Sequence, residues 1–170
     1  VRTDVLINGR FPRFAYTAID AIFYGADANA KMRFGQFDLG IQGSVVRAYE
    51  AESEEFLLFI PSDRVRTELT YNAPDIGAML EPYLSVSAQV IARQYNVSEA
   101  ADFAPVPDGY VLYGARTGTD FRWNDTRYTL GLEVQNALNT RYRDYTSMLR
   151  YYADEAGMQA FIRLGTEASL

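Results

Sequence analysis

The sequence predicts an all-β fold of about eight antiparallel strands, arranged up and down as in a transmembrane β-barrel. Three observations favour this fold. Apolar and polar residues alternate with a period of two along most of the 170-residue chain. Short turns and long polar connections follow one another in succession. The chain is 48% hydrophobic, yet its mean hydropathy is only −0.18, as expected when polar neighbours interrupt every apolar run.

The strands are predicted from alternation, because successive side chains of a strand point to opposite faces. The clearest run is 127–135, where Tyr128, Leu130, Leu132 and Val134 share one face. In chain order, the predicted strands are 1–8, 14–34, 37–45, 64–72, 82–93, 111–123, 127–135 and 158–170.

The segment 14–34 is the least regular of these. From Ile22 onward, apolar residues alternate with Gly25, Asp27 and further polar residues, but Asp20 falls on the apolar side. Such a phase shift predicts a β-bulge, in which one extra residue changes the register. The alanines also allow a helix here, whereas the sustained alternation and the Phe, Tyr and Ile content favour a strand.

The connections divide into two kinds. Those at 35–36, 72–77 and 124–126 are short and rich in turn-forming residues, whereas 50–56, 96–108 and 143–157 are long and polar. Strands that run up and down would therefore place tight turns at one end and long loops at the other.

The polar face favours a membrane barrel with a polar lumen over a soluble barrel. This face carries Ser, Thr, Gly, Gln and Asn with arginines and acids, and Lys31 is the only lysine. The apolar face includes many alanines, and tyrosines with Trp123 cluster at strand ends, as in aromatic girdles. Two alternatives remain open at this point: a complete small eight-stranded outer-membrane barrel with a structural or adhesion role, and a soluble lipocalin-like binding barrel.

Composition excludes several function classes. The chain has no Cys and no His, which removes thiolate and imidazole chemistry, and its net charge of −6 disfavours nucleic acid as a partner. We expect no enzymatic activity, no cofactor and no metal centre. The acidic loop could attract a hard cation, but a solvated charged loop is the simpler interpretation; its acids are Glu50, Glu52, Glu54 and Glu55.

Three short motifs carry a family resemblance. The segment 129–170 resembles the C-terminal end of TonB-dependent outer-membrane receptors, in which the penultimate strand ends in an Asn-Leu-x-Asn-x-x-Tyr-like motif. The segments 11–34 and 57–71 resemble two further strand motifs of this family, although Asp27 stands where glutamate is usual. The matching residues are Gly25, Asp27, Pro61, Asp63, Arg64, Asn136, Asn139 and Tyr142.

The resemblance implies that residues 1–170 are the C-terminal segment of a 22-stranded barrel, with no residues resembling a plug domain. It implies a location in the bacterial outer membrane and a role in active uptake of a scarce ligand, such as a ferric siderophore, haem or a metal. The implied partners are membrane lipid, the remaining strands and plug, TonB acting through the missing N-terminal part, and the ligand itself. Asn136 and Asn139 are expected to bond to backbone where strand gives way to loop.

Two sets of side chains are candidates for function. Aromatic and arginine side chains in the last long loop suit a catecholate or a sugar; they are Arg143, Tyr145, Arg150, Tyr151 and Tyr152. Charged side chains of the polar face are candidates for contact with a plug or for pairing with acids of the lumen; they are Arg64, Arg66, Arg93, Arg116, Arg163 and Glu133.

Overall fold

The computed structural model describes residues 2–7, 11–14, 18–98, 102–124 and 126–168. Its strands are β1 (Arg2–Ile7), β2 (Phe11–Phe14), β3 (Ala21–Phe34), β4 (Phe37–Glu50), β5 (Arg64–Asn72), β6 (Met79–Ile91), β7 (Tyr110–Trp123), β8 (Thr126–Gln135) and β9 (Gln159–Ala168), and Met148–Tyr151 form a 3₁₀ turn. No helix among the described residues has the length and apolar character that crossing a membrane requires.

Strands β3 to β9 form one seven-stranded sheet in which every strand pairs with its neighbours in sequence. All of these pairings are antiparallel, which confirms the predicted all-β, up-and-down fold. The sheet is open, with β3 and β9 at its edges. Strand β1 corresponds to the predicted strand 1–8, but it pairs with β2 in a separate two-stranded sheet.

Some predicted boundaries need correction. Strand β3 begins at Ala21 and keeps one register with β4 through Phe34, so the bulge expected in this strand is absent from it. Within the large sheet, the register shifts instead in the pairing of β6 with β7, between Leu80 and Tyr83 of β6. Phe14 belongs to β2, and residues 15–17 lie outside the described residues, as does Leu170. Strand β4 was predicted to end at residue 45, but it continues to Glu50, where it still pairs with Ala21 of β3.

The register gives the sheet two chemically distinct faces. One row of directly paired residues crosses all seven strands and is apolar throughout: Met32, Leu39, Leu69, Val86, Ala115, Val134 and Ala160. The adjacent row is polar from β3 to β8 and consists of Arg33, Asp38, Thr70, Ser85, Arg116 and Glu133. On β9 the same row ends at the apolar residue Phe161. This register keeps apolar residues on one face and polar residues on the other. A shift of one residue in the pairing of a strand would move all of its side chains to the opposite face.

Burial in this sheet is the reverse of a soluble core. The apolar face is exposed, with Val86 at 49% and Leu84 at 53%, whereas Ser85 between them is 1% exposed. Among the described residues, the buried apolar side chains are only Ala48, Ile91, Val106 and Tyr145. The concavities of the sheet are lined by polar-face residues such as Arg66, Glu68 and Arg116. The polar face is therefore the crowded, inner side of the curve.

The strands end at two different rims. The short-turn rim holds the tight connections, and at two of them Gly35 and Gly77 adopt φ angles of +61° and +60°, which glycine tolerates best. The long-loop rim consists of the connections 51–63, 92–109 and 136–158. Aromatic pairs mark the short-turn rim, where Phe34 and Phe37 stack at 5.8 Å and Phe121 and Tyr128 at 5.3 Å.

Candidate functional site

The long-loop rim contains a buried ion pair between two of its connections. Arg150 Nη2 donates to Asp102 Oδ2 at 2.5 Å, and the two side chains are 1% and 2% exposed. The hydroxyl of Tyr151 donates to Asp102 Oδ1 at 2.7 Å. Because the pair is shielded from water, its charges interact more strongly than those of an exposed pair.

Aromatic rings surround the Arg150 guanidinium. Its central carbon lies 4.4 Å from the ring centre of Tyr151, 4.7 Å from that of Tyr145 and 5.6 Å from that of Phe59. These distances are within the range of cation–π attraction. Phe103 adds an edge-to-face contact with Tyr151 at 6.0 Å. We call Phe59, Asp102, Tyr145, Arg150 and Tyr151 the Arg150 cluster; it includes residues from all three long connections.

Burial is the largest influence on the pKa of the Asp102 carboxyl and opposes its ionisation. The hydrogen bonds from Tyr151 and Arg150, together with the Arg150 charge, outweigh burial and lower this pKa. Burial, followed by the hydrogen bond to Asp102, raises the pKa of Tyr151. Burial also raises the pKa of Tyr145, with the Asp102 charge acting in the same direction. At neutral pH the cluster is therefore a carboxylate facing a guanidinium and two neutral phenols.

The lowered pKa predicts acid sensitivity of the Arg150 cluster. Among the described residues, the charged and titratable groups that face Asp102 are Arg150, Tyr145 and Tyr151. The stabilisation from ionised Asp102 is complete above its unfolded pKa of about 4. This stabilisation should be lost as the pH falls through the lower folded value. In the full-length protein, pepsin should cut within 92–109 increasingly from pH 4 to pH 2. An Asp102→Asn variant should be cut equally readily across this range; a wild-type protein that matches it at pH 4 would contradict the prediction.

The five residues predicted to contact ligand lie together, but they differ in exposure. Arg150 and Tyr145 are buried at 2% and 4%, whereas Tyr152 is 80% exposed. Arg143 is half-exposed, donates to Asp154 Oδ1 at 2.7 Å and to the Arg150 backbone oxygen at 2.9 Å. Of these five residues, only Tyr152 and Arg143 therefore present substantial surface to a molecule outside the protein.

The residues of the Pro-x-Asp-Arg motif lie where the first long connection meets β5. Asp63 accepts two hydrogen bonds from Arg47, at 2.5 and 2.8 Å. The Pro61 carbonyl accepts from Gln94 Nε2 at 3.2 Å, and Gln94 is 3% exposed. Burial is the largest influence on the pKa of Asp144 and acts to raise it, but hydrogen bonds from Thr146 and Tyr110, with a smaller contribution from the Arg64 charge, lower this pKa.

Asn136 and Asn139 adopt left-handed backbone angles, with φ of +48° and +52°. The Asn136 side chain donates to the Thr140 carbonyl at 2.9 Å and accepts from the Thr140 amide at 2.8 Å. Asn139 Oδ1 accepts from the Met158 amide at 3.0 Å. Both amides thus bond to backbone as β8 gives way to the last long loop, and they fix where that loop leaves and re-enters the sheet.

Tyr142 packs against Tyr110, with ring centres 4.4 Å apart. The Tyr110 hydroxyl in turn donates to Asp144 Oδ2 at 2.8 Å. Burial, followed by the charge of Glu155, raises the pKa of Tyr142. This contact holds the start of the last long loop against the first residue of β7.

Gly25 lies where β3 and β4 approach closely. A Cβ atom at this position would be 2.4 Å from the Val45 carbonyl oxygen and 3.2 Å from the Val46 Cα. Both contacts are with backbone, so no rotation of a side chain would relieve them. Asp27, two residues along on the same face, lines a concavity of the polar wall with Arg64 and Arg66.

The polar-face charges are paired to different extents. Arg116 and Arg66 both donate to Glu68, at 2.5 and 3.1 Å, and Gln135 donates to Glu133 at 2.7 Å. Arg93 was predicted to lie in a strand, but β6 ends at Ile91, so Arg93 lies in the connection 92–109, where it pairs with Asp108 at 3.0 Å. Arg163 is exposed and makes no ion pair with another described residue. No group of three or more acidic side chains suitable for holding a metal ion forms within the described parts of the chain.

Sequence reasoning missed three residues that organise the long-loop rim. Asp102 and Gln94 lie in a connection without periodicity, and nothing in the sequence indicates which loop each one contacts. Phe59 belongs to the longest dense apolar stretch of the chain, 56–60, which lies in a loop. An apolar run within a polar connection is the signal that would have suggested a loop cluster.

Comparisons with known proteins give a structural match but no sequence family. No protein-family model matches the chain, and no curated protein matches its sequence. Among solved structures, the chain is similar to the copper transporter OprC, with a TM-score of 0.67 and 17% identity over 88% of this chain. The chain spans 23% of the length of that transporter. At this identity the match establishes the fold, an open antiparallel sheet equivalent to part of a larger protein.

Proposed function

We propose that residues 1–170 form the C-terminal barrel segment of a TonB-dependent outer-membrane receptor that takes up a scarce ligand such as a metal complex, ferric siderophore or haem. The observation that carries this proposal is the apolar row from Met32 to Ala160, which crosses every strand of the sheet. Four of its seven residues are exposed and the other three are half-buried. A continuous apolar exterior over a polar, crowded interior suits lipid outside and an aqueous lumen inside.

The length of the apolar face fits a bilayer. On β3, the aromatic residues Tyr24 and Phe34 share this face, and Tyr24 packs edge-to-face against Tyr49 at 6.2 Å. The ten-residue rise between them corresponds to about 34 Å along the strand. A strand tilt of about 45° reduces this to about 24 Å across the membrane, close to the apolar band of about 25 Å in outer-membrane barrels.

The open edges support a segment rather than a closed small barrel. Backbone groups at β3 and β9 would face lipid unpaired, which a bilayer does not tolerate, so further strands must complete the ring. The eight-stranded alternative requires the first strand to pair with the last, whereas β1 pairs with β2 and β9 pairs with β8 among the described residues. Similarity to part of a copper transporter supports a metal or metal complex as cargo.

Each part of the segment has a role in this proposal. The long-loop rim faces outward and contacts ligand through Arg143, Tyr145, Arg150, Tyr151 and Tyr152, of which Tyr152 and Arg143 are accessible with the loops closed. The polar face contacts a plug domain through Arg64, Arg66, Arg93, Arg116, Arg163 and Glu133. TonB acts through the plug, so the segment itself performs no bond chemistry and needs no cofactor.

Peptide mapping of outer-membrane fractions tests the proposal. Peptides from this sequence should map to one polypeptide of on the order of 600 residues or more, since 22 strands with loops and a plug require that length. Depletion of TonB should leave its abundance unchanged while abolishing uptake of its metal complex. Recovery of a polypeptide near 19 kDa, or recovery only from the soluble fraction, would refute the proposal.

A further inference from the structure

One buried contact joins all three connections of the long-loop rim. Arg150 lies in 136–158, its partner Asp102 lies in 92–109, and Phe59, against the guanidinium, lies in 51–63. The two charged side chains are at most 2% exposed. The loops therefore cannot separate from one another without uncovering this pair.

The closed arrangement also has internal costs. Arg150 Nε and Nη1 are buried without a hydrogen-bond partner among the described residues. Phe59 has a φ of +61°, which is unfavourable for a bulky residue. Buried polar networks that are only partly satisfied are less stable than complete ones. A strong contact is thus opposed by local costs within the same cluster.

We propose that the Arg150–Asp102 pair is a latch that holds the three long connections closed against one another and releases them together. The latch concerns loop motion, so it stands or falls independently of the proposed transport function. Opening exposes a guanidinium and three aromatic rings at once. It therefore adds a cationic and aromatic surface to the long-loop rim.

Cysteine labelling of the full-length protein tests the latch. The chain has no cysteine of its own, and Val106, in the connection 92–109, is 6% exposed. A Val106→Cys reporter should react slowly with a maleimide while the loops are closed. Arg150→Met should raise its labelling rate about a hundredfold, because removing one partner leaves a buried charge uncompensated. Asp108→Asn breaks an exposed ion pair of the same connection and should leave the rate unchanged.

Two further variants separate a latch from general packing. Tyr151→Phe removes only the hydroxyl that donates to Asp102 and should raise the rate about tenfold. Asp102→Leu combined with Arg150→Met replaces the pair by apolar side chains and should return the rate to within about threefold of the wild type. An unchanged rate in Tyr151→Phe overturns the proposal even if Arg150→Met does not assemble. So does a double variant labelled as fast as Arg150→Met.

Discussion

Replacing Gly25 by valine should prevent assembly of the full-length barrel. The new Cβ would lie 2.4 Å from the Val45 carbonyl oxygen, in the middle of the β3–β4 pairing. Overpacking against side chains costs about 1–3 kcal/mol, but here the obstacle is backbone, so the strands must separate. We expect the folded fraction, measured by the heat-dependent shift in gel mobility of outer-membrane protein, to fall at least about tenfold.

Gly40→Val is the matched control for this experiment. Gly40 lies on β4 of the same strand pair, and the nearest atom to its added Cβ is the Glu68 carbonyl oxygen at 3.9 Å. Because this distance is ordinary van der Waals contact, the variant should assemble normally. Equal folded fractions for the two valine variants would show that the close approach at Gly25 is not what restricts this position.

Replacing Val86 by arginine should destabilise the protein in a lipid bilayer. Val86 lies in the apolar row midway along β6 and is 49% exposed on that face. An arginine near the bilayer midplane of a barrel costs about 2–4 kcal/mol, which lowers the ratio of folded to unfolded protein by about 30- to 700-fold. Guanidinium titration of the full-length protein in lipid vesicles measures this loss as a lower midpoint.

The adjacent substitution Ser87→Arg places the same charge on the opposite face at nearly the same depth. Ser87 pairs with Gly114 on one side, which provides space, and with Glu68 on the other, which it would share with Arg66 and Arg116. Its midpoint should stay within experimental error of the wild type. If Ser87→Arg is the more destabilising of the two variants, the polar face is the side that contacts lipid.

The strands could be predicted closely from the sequence because their signal is local. Period-two alternation is carried by the residues of each strand, and the predicted span 64–72 coincides with β5 while 127–135 falls within β8. The alternation of short and long connections likewise follows from spacing alone. The predicted strand 14–34 is correct from Ala21 to Phe34, whereas Phe14 belongs to β2 and residues 15–17 lie outside the described residues.

The arrangement of the long loops could not be predicted in the same way. Arg150 and Tyr145 could be assigned to the last loop from the sequence, but their burial depends on Asp102 and Phe59. These two residues lie 48 and 91 residues before Arg150 in the chain. Loop contacts of this kind have no period, and they follow from how far each connection folds back over its neighbours. The identities of candidate residues were therefore accessible from the sequence, whereas their exposure was not.

If the segment spans a membrane as proposed, the distance between Tyr24 and Phe34 on β3 also bears on which bilayers suit it. An ordinary bilayer has a hydrocarbon core of about 30 Å, whereas the apolar face of β3 matches about 24 Å. Each ångström of mismatch costs a fraction of a kcal/mol, and the cost is repeated around the circumference of the barrel. In the proposed membrane barrel, the spacing of Tyr24 and Phe34 would therefore favour thin bilayers over thick ones.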